Sequence, residues 1–261
     1  MRVVMMSAVV VAAAAAVLGS GGPARAGAGV VGTIPVGPTS RAAGTFKQPG
    51  VQTWALRLQR GRDYAINGFG DALEQVVVRA PGGRPAARFG FNFGEDDVGS
   101  GATFRAGAAG TYFVDVTLAR SCDGNTPCLD PAQGRDGGYS LSVSQDCAGS
   151  AATRCGIAPG QVLHHLRISF AGDQDWFRTQ LRAGQAYRLG LPVGFTAGGL
   201  EAHVVDARGR QVVPGSPDQG QSDGSGGTPL TFKVPATGTY YLAVVPEEGW
   251  GTYDLSLAPA R

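Results

Sequence analysis

Five landmarks occur twice in this chain in the same order, and that repetition limits the fold more than any other feature. Residues 43–66 carry an aromatic-bearing strand, the turn Gly61-Arg62-Asp63-Tyr64, then a second strand. Residues 164–189 do the same around Gly184-Gln185-Ala186-Tyr187, and aligning the two turns sets Trp54 opposite Phe177. Gln75–Arg79 ahead of Pro81-Gly82-Gly83 matches Ala202–Asp206 ahead of Ala207-Arg208-Gly209. Gly110–Val116 matches Gly238–Val244, and Gly138–Val143 matches Gly251–Leu257. The copies are offset by about 115–130 residues, and each is large enough for its own core.

These segments have strand physics. Tyr139, Leu141 and Val143 alternate with Ser140, Ser142 and Ser144, which predicts a strand with one buried face. Tyr240, Leu242 and Val244 also alternate, but Tyr241 and Ala243 between them predict burial on both faces. Gly is 42 of 261 residues and Pro is 16, which suits many short strands joined by turns. No long segment shows helical spacing of apolar residues. Each repeat is expected to hold seven to nine short strands, the signature of an antiparallel sandwich.

The N-terminus reads as a secretory signal. Arg2 precedes an apolar run from Val3 to Leu18, and Ala24-Arg25-Ala26 offers the small residues of a cleavage site after Ala26. The chain is therefore expected to be secreted, with no membrane span after cleavage. Losing Arg2 and Arg25 brings the 22 basic residues level with the 20 acidic ones, which excludes an electrostatic footprint for nucleic acid.

Cys122, Cys128, Cys147 and Cys155 form an even set, as expected for two disulfides in an exported protein. Three pairings are open. Cys122–Cys128 and Cys147–Cys155 are favoured because each closes a short loop, and a loop of that size constrains the unfolded chain by roughly 2–2.5 kcal/mol. Their spacing lacks the tight C-x₂-C pairs of zinc sites.

Asp173-Gln174-Asp175-Trp176-Phe177, Leu181–Tyr187, Val205–Gly209 and Val234–Leu242 with Gly251–Leu257 together resemble the bacterial pre-peptidase C-terminal domain family. The resemblance covers most of residues 160–258. Residues 40–146 resemble it less: Gly50-Val51-Gln52-Thr53 stands where Asp-x-Asp would be, and an insertion carries Cys122 and Cys128. It implies a jelly-roll-like sandwich of the kind appended to exported enzymes, some of which bind polymers or calcium.

The candidate chemistry is sparse. Asp173 and Asp175 lie two apart before a strand and could offer calcium two carboxylates, although the linker Ala148–Gly160 contains no acid to complete a shell. Glu95-Asp96-Asp97 is a second acidic turn. Trp250, in Glu247-Glu248-Gly249-Trp250-Gly251, reads as a hairpin-tip aromatic that could stack on a ligand, whereas Trp54 and Phe177 read as core. Gly220-Gln221-Ser222-Asp223-Gly224 matches a nucleophile elbow but sits in a polar Gly-rich loop, not between a strand and a helix. His164 and His165 are adjacent, so on a regular strand they face opposite ways and cannot share a metal; His203 reads as structural.

The sequence thus predicts an all-β protein of two tandem jelly-roll-like antiparallel β-sandwich domains after a signal peptide. The expected segments are a signal (1–26), a linker (27–39), a first sandwich (40–147), a disulfide-bearing linker (148–159) and a second sandwich (160–261). The expected function is a secreted, non-catalytic binding or accessory module, with calcium as its one candidate cofactor. Its expected partner is an extracellular protein or polysaccharide. The alternatives are a carbohydrate-binding sandwich and a secreted hydrolase of another type.

Overall fold

Strand patterning dominates the chain: the described residues form sixteen β-strands and no helix. The computed structural model describes residues 29–37, 39–70, 73–91, 100–118, 129–130, 137–192, 199–216, 228–247 and 249–260. The signal segment, the Glu95–Asp97 turn, Cys122, Cys128 and Ser222 lie outside the described residues.

The first repeat supplies β1 (Val30–Thr33), β2 (Ala42–Thr45), β3 (Val51–Leu58), β4 (Asp63–Phe69), β5 (Leu73–Arg79), β6 (Pro85–Gly90), β7 (Ser100–Arg105), β8 (Gly110–Leu118) and β9 (Gly138–Gln145). They form two sheets, ordered β1-β3-β8-β5-β6 and β2-β9-β4-β7. The second repeat supplies β10 (Gln161–Ile168), β11 (Asp175–Leu181), β12 (Ala186–Gly190), β13 (Leu200–Val205), β14 (Leu230–Lys233), β15 (Gly238–Pro246) and β16 (Gly251–Pro259). Its sheets run β11-β15-β13 and β10-β16-β12-β14. Strand for strand the order is the same, and Trp54 and Phe177 occupy matching places opposite Val114 and Leu242.

The two strands missing from the second copy are replaced by single bridges. In the first sandwich β1 runs parallel to β3. In the second, the linker does this: Gly156 bridges Arg178 in parallel, Arg178 N–H donates to Cys155 O, and Ile157 N–H donates to Arg178 O. At the other edge Gln211 bridges Val205 where β6 pairs β5. Each sandwich closes on its own apolar cluster. Leu56, Ile66, Val76, Val114 and Leu141 are among the buried residues of the first, and Phe177, Leu189, Val204, Leu242 and Leu255 among those of the second. Tyr241 and Ala243 are buried on the second face of β15 beneath Trp176 and the linker residue Ala151, as the sequence predicts.

The repeated turns explain their own motif. Gly61 and Gly184 sit at φ +74° and +79°, a region that disfavours any residue with a Cβ. Tyr64 and Tyr187 then fold back over the turn. The Tyr64 hydroxyl accepts the Gln59 N–H at 3.0 Å, and the Tyr187 hydroxyl accepts the Arg182 N–H at 2.8 Å. The second tyrosine of each repeat does the reverse: Tyr112 donates to Ala108 O at 3.1 Å, and Tyr240 donates to Ala236 O at 2.8 Å. Each buried ring thus ends in a hydroxyl that satisfies turn backbone.

Nothing lies within 4 Å of a Cβ added at Gly184, so Gly184→Ala isolates the backbone term. Urea denaturation should show a loss of about 1 kcal/mol for it. Tyr187→Phe, which removes the acceptor from the Arg182 N–H, should lose about 1–2 kcal/mol.

Candidate metal centre

The sandwiches meet along a polar seam that begins on β9. Period-two alternation assigns Ser142 and Ser144 to an outer face, yet both are buried, because the second sandwich covers that face. Ser142 hydrogen-bonds Asn67, the Asn67 amide donates to Ser169 O at 2.7 Å, and the Ser144 and Ser169 hydroxyls lie 3.2 Å apart. A Cβ at Gly101 would meet the Phe170 ring at 2.4 Å, so Phe170 seats directly on the backbone of β7. Trp250 also belongs to this seam. Instead of standing free at a hairpin tip it is half-buried, its ring edge-on to Phe69 of the first sandwich with centroids 5.4 Å apart.

The chain leaves β9 at Asp146 and enters the linker through Cys147, whose disulfide to Cys155 is one of the two local pairs favoured from sequence. Both ends of that loop are fastened to β11, through Trp176 N–H to Cys147 O and Arg178 N–H to Cys155 O, each 2.9 Å. This docking brings Asp146 against Asp173 and Asp175. Sequence reasoning looked for a third acid inside Ala148–Gly160 and found none. It stands one residue before Cys147, and no local signal marked it.

Burial makes the three carboxylates unusual. Asp173 and Asp175 are 1% and 3% exposed, and both oxygens of Asp146 are fully covered. Asp175 accepts from the Tyr253 hydroxyl at 2.5 Å and weakly from Cys147 N–H at 3.3 Å. Asp173 Oδ2 accepts from Ser169 N–H at 2.7 Å. Asp173 Oδ1 and both Asp146 oxygens make no hydrogen bond of good geometry. Burial, reinforced by the charge of Asp175, pushes Asp146 up to about 8. Burial and the neighbouring carboxylates push Asp173 and Asp175 each up to about 7, and the opposing pull of Arg167 on Asp173 is smaller. The same surroundings drive the Tyr253 hydroxyl well above its ordinary value.

Other acids of the fold are neutralised internally. Arg105 holds Asp63 in a fork at 2.7 and 2.8 Å, and Arg79 holds Asp115 at 2.6 and 2.7 Å. Asp63, Arg105, Asp146, Phe170 and Asp173 line a cleft of about 460 Å³ that opens onto the carboxylates. Hard oxygens, excess negative charge and unpaired lone pairs are the donor chemistry of a calcium site. Among the described residues, however, no three His, Cys, Asp or Glu side chains converge on one point as a finished ligand shell. The carboxylates would have to close in on an ion.

A second polar cluster lies on β10. The β10–β16 register breaks between Leu163 and Leu166, where His165 adopts φ +56°. This corrects the expectation that His164 and His165 face opposite ways: the bulge turns both rings to one exposed side, with centroids 6.2 Å apart. His203, by contrast, is held by Glu201 at 2.7 Å.

No family model matches the sequence, and no curated protein matches it. Among solved structures, the CUB1-EGF-CUB2 domains of rat MASP-1 align over 84% of this chain and 97% of theirs, at 10% identity and a TM-score of 0.27. A GH2 β-galacturonidase from Eisenbergiella tayi bound to galacturonate aligns over 77% of this chain and 30% of its own, at 8% identity and a TM-score of 0.27. The full extracellular region of zebrafish Gpr126/Adgrg6 aligns over 89% and 37%, at 12% and 0.25. Overlaps this loose assign neither relationship nor activity. Among the described residues no helix is long and apolar enough to cross a membrane.

The raised carboxylates set the pH dependence of the metal-free protein. Free aspartates titrate near 3.9, so between about pH 4 and pH 8 the folded state binds more protons than the unfolded one. Stability measured in chelator should therefore fall as pH rises through that window and level off above it. Asp146→Asn should flatten the slope; an unchanged slope would remove Asp146 from the cluster.

Proposed function

We propose that this protein is an exported, non-catalytic binding module in which calcium, held by Asp146, Asp173 and Asp175, fixes the junction between the two sandwiches. The observation that carries this reading is the buried unpaired oxygen of Asp173, on a carboxylate whose buried neighbours Asp146 and Asp175 are also acids. A calcium ion would offset two of the three negative charges that now repel or stay protonated. Its role is structural: it would draw the end of β9, the linker and the start of β11 together. The Cys147–Cys155 disulfide agrees with an oxidising, extracellular setting. The resemblance of residues 160–258 to the pre-peptidase C-terminal family supports the same reading, since those domains serve as appendages of exported proteins. The partner on this reading is an extracellular protein or a cell-surface polysaccharide, met by the paired sandwiches held in one orientation.

Thermal unfolding in millimolar calcium and then in chelator tests the proposal. An ion that binds only the native state contributes about 2.7 kcal/mol at a hundred times its Kd, which should raise Tm by several degrees. Asp173→Asn should abolish the shift and leave the chelator baseline unchanged or higher, because it removes an uncompensated acid. A wild-type Tm indifferent to calcium at pH 7.5 would sink the cation reading.

A further inference from the structure

The bulge on β10 is a strained feature that the junction does not explain. His165 is one of only two non-glycine residues with positive φ among the described residues, and at +56° it lies in the left-handed region. Backbone strain of this kind persists where the surroundings impose it. Here Asp254 imposes it. One carboxylate oxygen accepts the His165 backbone N–H at 2.9 Å, and the other lies 2.6 Å from His164 Nδ1. A carboxylate oxygen accepts, so the contact with Asp254 occupies Nδ1 of His164 as its donor. Nε2 is then the nitrogen left for a ligand, on a side chain that is 61% exposed.

A carboxylate on one imidazole nitrogen with the other turned outward is the arrangement that orients histidine metal ligands. The second ring is in place. Two imidazoles bound to one ion at about 2.1 Å put their ring centres about 5.3 Å apart at a tetrahedral angle; these stand at 6.2 Å, so a small rotation of the side chains would bring both onto one ion. We propose that His164 and His165 form a surface site for a borderline divalent transition-metal ion, Cu²⁺ or Zn²⁺, with Asp254 as the positioning residue. Imidazole nitrogen selects such ions over calcium, whose chemistry belongs to the oxygen cluster at the junction. Two protein ligands leave positions for water, so this is an open site and not a closed structural one.

Calorimetric titration of the full, untagged protein with Cu²⁺ and with Zn²⁺, alongside EPR of the Cu²⁺ complex, tests the site. The expected result is one saturable equivalent per chain, with hyperfine structure from two imidazole nitrogens. His164→Ala and His165→Gly should each weaken binding at least tenfold, and Asp254→Asn by roughly 10–100-fold. His165→Gly also controls for folding, because glycine accepts the backbone angle; its Tm should match or exceed the wild type while the equivalent is lost. Absence of a saturable equivalent overturns the proposal. So does an equivalent that survives His164→Ala and His165→Gly and disappears in Asp173→Asn or His203→Ala, which would assign the ion elsewhere.

Discussion

The hydrogen bonding of the linker to β11 is the constraint on which the relation between the sandwiches rests. A sheet edge left open is a liability, and here the chain covers it with its own connection between the two copies. Once Cys147 and Cys155 are joined to each other and fastened to Trp176 and Arg178, the first sandwich can enter only from one direction. That direction brings β9 and β4 against Ser169 and Phe170, and it delivers Asp146 to Asp173 and Asp175. The polar seam, the acid cluster and the cleft are consequences of one short segment that behaves as a strand without being long enough to count as one.

The seam also separates two ways in which a fold handles buried acid. Asp63 and Asp115 are each gripped by an arginine fork, and such a pair is complete in itself. The junction acids have no such fork, and Arg167 offsets Asp173 only in part. Removing the carboxylates would be the simpler way to hold two surfaces together, since well-packed apolar groups do so at less cost. Their presence makes the contact sensitive to protons.

Local chemistry was legible in the sequence and long-range chemistry was not. The Gly61 and Gly184 turns, the alternation on β9 and β15, the core places of Trp54 and Phe177 and the Cys147–Cys155 pair all follow from residues close together in the chain. Asp173 and Asp175 could be picked out because they are two apart. Asp146 could not, since nothing but the docking of the linker makes it their neighbour. Ser142 and Ser144 read as outward-facing because period-two logic knows only the strand's own sheet, and Trp250 because a Gly-flanked turn reads as a free hairpin tip; the other sandwich covers each of them. The histidine pair was missed for another reason. Alternation assumes a regular strand, and the Asp254 carboxylate that bends this one lies 89 residues away from His165.

Phe170 on Gly101 marks a difference between the two copies. Tyr64 pairs with Phe104 across β4 and β7 as Tyr187 pairs with Phe232 across β12 and β14, so the register of the second copy sets Pro229 where the first has Gly101. A ring can lie flat on glycine but has no such seat on proline. Alike in strand order, the two copies differ at this seat: one offers glycine to the ring of the other.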